Sequence, residues 1–202
     1  LSVRIMHDDG VVYASDVLRA LTWLRDGLGA DTPERVADVV VMAFGYRPRH
    51  PEDDQHTAEL RTLIWELADA GVQVVASAGN EGSGEQTFPA AFAADPDPPA
   101  TPVISVGATN PNETDAHYSN HGDWVTLQRV GTGVISTMPA VAGDEPPPPS
   151  PFPEPFGETV DPDDFTGFTG GFARWSGTSF AAAVFAGDCA QAILDGRPVP
   201  RS

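Results

Sequence analysis

The stretch DVVVMAF, residues 38–44, decides the fold. It is an uninterrupted β-branched run, and such a run reads as a strand covered on both faces. Helical patterns lie on either side of it. Upstream, Val17, Leu18, Leu21, Leu24 and Leu28 recur at helical spacing behind Ser15, a capping residue, and Gly29 follows as a stop. Downstream, Thr57–Ala70 reads as a helix with Leu60, Leu63, Ile64 and Leu67 as its apolar stripe and Gly71 as its C-terminal stop. VQVVAS (72–77) and PVISVG (102–107) are further buried strands. Leu1–Met6 alternates weakly and reads as one more. Strand, helix, strand, helix, strand predicts an α/β fold, with a mostly parallel sheet and helices on both faces.

Sheets of this kind carry their sites at the carboxyl ends of their strands. Those ends are Phe44-Gly45-Tyr46, Ala78-Gly79-Asn80-Glu81-Gly82 and the loop after Gly107, and two of the three are glycine-rich. The length of 202 residues suits one α/β domain or part of one. The segment 140–171, which includes EPPPPSPFPEPF, reads as a proline- and glycine-rich surface insertion. DPDPP at 95–99 is a smaller one of the same kind.

The net charge of −18 argues against nucleic-acid binding through a basic face. All 11 basic residues are arginine, as a GC-rich genome or salt adaptation would give. No apolar run approaches the ~18 residues that a membrane span needs. Cys189 is the only cysteine, which excludes an internal disulfide and a cysteine metal cluster, and its apolar helical surroundings make it packing. The chain opens on Leu1 and enters an apolar segment at once. We read that as a truncated start, so the missing signal peptide says nothing about secretion.

In ARWSGTSFAAAVFAGDCAQAI (173–193), a small polar Gly-Thr-Ser cluster stands before an apolar run. A helix apolar on all sides is buried, which puts Ser179 at the amino end of a buried helix. There the first N–H groups and the positive end of the dipole favour a developing negative charge. An ordinary helix cap would carry the same residues. ASAGNEG (76–82) sets Asn80 between glycines at a strand end, where its amide could donate to an oxyanion or simply form a turn.

Together and in this order, the segments resemble the subtilisin-like serine proteases over about residues 1–194. SGTSFAAAVFAG matches the nucleophile segment and VVASAGNEG the oxyanion segment. TFPAAF, VISVGATN and YSNHGDWV look like the connecting segments, GTGVIST (131–137) like the strand before the nucleophile, and VVMAFG like the strand that pairs with substrate. The resemblance implies the subtilisin-like three-layer fold, truncated at its N-terminus. It implies Ser179 as nucleophile and Asn80 as oxyanion donor. Ala43, Phe44 and Gly45 would pair with substrate backbone, and Ser77, Ala78 and Gly79 would line the other side of the specificity pocket. The small residues there imply a broad, apolar preference. Polypeptide substrates and a secreted or cell-envelope location follow from the family. No cofactor is assigned. The family carries structural calcium, but no ligand is assigned to any residue here.

The resemblance also implies a triad aspartate and histidine, in segments that precede residue 1. None of His7, His50, His56, His117 and His121 lies in a matching motif. Ala183 replaces the family's usual proline, Arg129-Val130 its Ala-Pro, and Val41 its asparagine. Two readings follow. The chain belongs to an active serine endopeptidase, itself inert and unstable in isolation, or to a catalytically dead peptide-binding or scaffold domain.

Overall fold

The computed structural model describes residues 1–28, 37–137 and 171–201. The stop at Gly29 and all but the last residue of the 140–171 insertion lie outside them. The elements run α1 (Ala14–Leu28), β1 (Val39–Met42), α2 (Pro51–Asp69), β2 (Gln73–Ser77), a short 3-10 helix (Ala90–Ala94), β3 (Ile104–Thr109), β4 (Leu127–Val130), β5 (Val134–Thr137), β6 (Phe172–Trp175) and α3 (Thr178–Leu194).

Strands β1, β2, β3 and β4 form one parallel sheet in that order, and β5 and β6 form a separate antiparallel pair. The two-residue alternation of β2 sends Val74 and Ala76 into one core and Val75 into the other. The first core is filled by α1 and α2 through Val17, Leu21, Leu24, Leu60, Leu63, Ile64 and Leu67. The second is filled by α3 through Ala181, Ala182, Phe185, Ala186 and Cys189. The predicted α/β architecture, with helices on both faces, is the one observed. The GTGVIST segment ends in β5, which pairs with β6 and not with the four-stranded sheet.

Five local expectations change. Leu1–Met6 is not a strand; its sole bridge is Met6 to Val12 across a turn, and residues 1–4 are exposed. Strand β1 is not covered on both faces, because it is the sheet's edge and Val41 remains 40% exposed. Helix α2 starts six residues before Thr57: Pro51 occupies its first turn, and the Asp53 carboxylate accepts the Arg49 and His50 amides at 2.7 and 2.9 Å. Ser15 falls inside α1, which starts at Ala14. Helix α3 is buried on its sheet side only. Val184 and Leu194 on its other side are 42% and 82% exposed, because no described element covers them.

Candidate active site

The site forms where α3 begins against the carboxyl ends of β1 and β2. Gly177 precedes the helix, and its backbone runs extended. Thr178, wholly buried, then ties two distant segments together. Asn80 Oδ1 accepts the Thr178 N–H at 2.8 Å and its hydroxyl at 2.9 Å. The Gly79 N–H donates back to Thr178 Oγ1 at 3.0 Å. Asn80 thus spends its carbonyl oxygen on the head of α3, and its Nδ2 amide group is turned toward Gly177. A Cβ at Gly177 would stand 3.4 Å from that nitrogen, which leaves the approach open.

Ser179 follows in the first turn, where an N–H has no acceptor within the helix. Its hydroxyl donates to the Ala43 carbonyl at 3.1 Å. Ser179, Asn80 and Ala43 are therefore brought together, as the sequence predicts. Phe44 and Gly45 continue from Ala43 along an edge held by Tyr46, which exchanges two backbone bonds of 2.9 Å with Phe88. Gly45 is required by close approach, because a Cβ there would stand 2.6 Å from Thr87 Cγ2. On the opposite wall, Ser77 and Ala78 are buried and Gly79 is the part left partly open.

None of the five histidines reaches Ser179. His7 bonds Asp16 at 2.9 Å, His50 precedes α2, His117 packs edge-on against Tyr118, and His121 lies beside Gly84. His56 sits within α2. Among the described residues no group of three or more His, Cys, Asp or Glu is placed to hold a metal ion, and no helix is long and apolar enough to cross a membrane.

Two contributors were not legible from the sequence. Asn120, wholly buried, holds the loop that carries Asn80. Its Oδ1 accepts the Glu81 and Ser83 amides at 3.1 and 3.0 Å, and its Nδ2 reaches the Ala78 carbonyl, Glu81 Oε2 and Thr87 Oγ1 at 2.9, 2.7 and 3.2 Å. A Cβ on Gly79, which sits at φ +105°, would overlap that amide. Arg47 is the second: it pairs with Glu81 at 3.1 Å and Glu85 at 3.0 Å and so pins the outer rim. Neither has a local signal, since every partner lies more than 30 residues away along the chain.

A serine at the head of a helix packed on the sheet, with a side-chain amide beside it, is an arrangement that could stabilise a developing oxyanion. The chain belongs to the subtilase family (peptidase S8), whose family model matches residues 1–196. It is 29% identical over 138 residues to the thermophilic serine proteinase of Bacillus sp. strain AK1, covering 68% of this chain and 29% of that one. It is 30% identical over 141 residues to the extracellular basic protease of Dichelobacter nodosus, covering 68% and 21%. It is 28% identical over 122 residues to the major intracellular serine protease of Bacillus subtilis strain 168, covering 58% and 33%. The fold matches a cold-adapted subtilisin-like serine proteinase at a TM-score of 0.62 and 20% identity, covering 96% of this chain and 53% of that one. It matches a lanthipeptide protease at 0.66 and 19%, covering 98% and 57%. The chain thus spans a third or less of these three curated relatives and a little over half of these solved chains.

Proposed function

We propose that this chain supplies the nucleophile and oxyanion half of a subtilisin-like endopeptidase site. Ser179 Oγ attacks a peptide carbonyl and forms an acyl-enzyme, while the Ser179 N–H and Asn80 Nδ2 hold the oxyanion. Ala43, Phe44 and Gly45 take the substrate backbone as an added strand, and Ser77, Ala78 and Gly79 face its primary side chain. A serine hydroxyl needs a base and the base an orienting carboxylate, and we place both in polypeptide upstream of residue 1. The observation that carries this reading is the Asn80–Thr178 clamp. Its bonds of 2.8 and 2.9 Å span 98 residues of sequence and set an amide donor beside Ser179. A plain helix cap would need no residue from the loop after β2.

The test is hydrolysis of casein by a protein that carries this chain together with its in-frame upstream sequence. Ser179→Ala should abolish turnover. Asn80→Ala should lower it about 10²–10³-fold, the size found for the corresponding donor in subtilisin itself, a member of this family. Unaltered peptide binding with no turnover, and an upstream sequence lacking the aspartate or histidine, would instead favour the peptide-binding or scaffold reading. The relatives include one extracellular and one intracellular protease by name. Export remains our expectation, and fractionation of the producing cells checks it.

A further inference from the structure

We infer that Arg47 sets which substrate side chain the site accepts. It keeps the pocket between the Gly45 and Gly79 walls electrically satisfied, so that an uncharged residue is taken there ahead of a lysine or a glutamate. That preference rests on the proposed reading, in which the two walls flank the primary side chain, and it adds a residue that belongs to neither wall.

Arg47 stands two residues beyond Gly45, and Glu81 two residues beyond Gly79, one past each wall. Their side chains meet: Arg47 Nη2 donates to Glu81 Oε2 at 3.1 Å. Both also reach atoms that lie against the walls. A Cβ on Gly79 would stand 2.9 Å from Glu81 Oε2. A Cβ on Gly45 would stand 2.6 Å from Cγ2 of Thr87, and the Thr87 hydroxyl oxygen accepts Arg47 Nε at 3.4 Å. The ion pair therefore spans the two walls, with the Arg47 side chain only 20% exposed.

Each guanidinium nitrogen of Arg47 has an acceptor: Nε has Thr87, Nη1 has Glu85 at 3.0 Å, and Nη2 has Glu81. Glu81 Oε2 in turn takes the Asn120 amide at 2.7 Å as well as Arg47. An incoming ammonium finds that carboxylate oxygen already neutralised, and an incoming carboxylate finds the guanidinium already bonded. A charge brought between the walls would give up water without gaining a partner, which an uncharged side chain does not do. Arg47 also decides which sign is withheld. Without it, Glu81 and Glu85 would stand against Arg49, which reaches Glu85 at 3.4 Å. Glu81 would then keep its negative charge beside the Gly79 wall, with the Asn120 amide as its remaining partner among the described residues. A cationic side chain would gain a counter-charge there.

The experiment uses a protein that carries this chain together with its in-frame upstream sequence. Its substrates are three fluorogenic peptides that differ only in the residue before the scissile bond: leucine, lysine or glutamate. The parent should cleave the leucine peptide with the highest kcat/KM. Arg47→Gln removes the charge and should raise the lysine-to-leucine ratio of kcat/KM at least about fivefold, while the glutamate-to-leucine ratio does not rise. Arg47→Lys keeps the charge and should keep the parent's order. If Arg47 only braces the loop, Arg47→Gln lowers all three peptides together and leaves the ratio unchanged, which overturns the inference. So does a parent that prefers lysine, or an Arg47→Lys ratio as high as that of Arg47→Gln. The same peptides are titrated onto the Ser179→Ala forms, where affinities give the ratio without turnover. Absence of turnover with the ratio still shifted in binding counts against the catalytic reading and upholds this one. An unchanged ratio in binding overturns this one.

Discussion

Strands β1 and β2 are neighbours in one sheet with similar sequences, VVVM and QVVAS, yet they end in opposite states. All five residues of β2 are buried, because it has a strand on each side and a helical layer on each face. One residue of β1, Met42, is buried. Composition sets what can be a strand; position in the sheet sets whether it is finished. The candidate site straddles that boundary. Asn80 lies in the loop after the finished strand, and the Ser179 hydroxyl donates to Ala43, just past the end of the unfinished one. The Asn80 side, where we propose that the oxyanion is held, is therefore fixed within this chain by its bonds to Thr178, while β1 beside Ala43 has an open edge among the described residues.

The contrast is sharpest in core packing. Phe185, with no exposed surface, faces the sheet from α3, while Leu194 on the same helix is almost fully exposed. Phe185→Ala should cost about 3–5 kcal/mol in urea unfolding, and Leu194→Ala within about 0.5 kcal/mol. Equal costs would mean that the outer side of α3 is covered after all. Next in size is Asn120→Ala, which strands the Glu81 and Ser83 amides. It should cost about 2–3 kcal/mol and loosen residues 79–83 in hydrogen exchange, with β1 unchanged.

Acid should weaken the fold through two carboxylates. Backbone amides of Arg49 and then His50 hold the Asp53 carboxylate below its usual range, and the Arg61 guanidinium does the same for Asp95. Both pKa values fall on folding, so both groups stabilise the fold above the ordinary carboxylate range. That stabilisation is lost as pH falls through the depressed values. A pH series of melting temperatures should show that decline, and Asp53→Asn should flatten part of it. The smallest effect is chemical. Burial pushes the Cys189 thiol up to about 11, so iodoacetamide should leave it unmodified at neutral pH until the chain unfolds.

The architecture was legible because VVVMAF, VQVVAS and the two leucine stripes carry their periods locally. Ser179 and Asn80 were legible because each sits in a compact motif. What the sequence hid was relational. Leu1–Met6 has strand composition but pairs only through the Met6–Val12 bridge among the described residues, and α2 began early because Pro51 and Asp53 supply its first turn. The outward side of α3 reads as core in sequence and stands bare, since composition cannot say what lies opposite. Asn120 was invisible because its whole role is to bond a loop about 40 residues away.

The central claim is that this chain assembles a nucleophile and an oxyanion donor without a base. Turnover of a fluorogenic peptide by the purified 202-residue chain, beside its Ser179→Ala variant, tests it most directly. The account predicts no difference between the two. Robust hydrolysis that disappears with Ser179 would contradict it and would mean that one of the five histidines reaches the serine in solution.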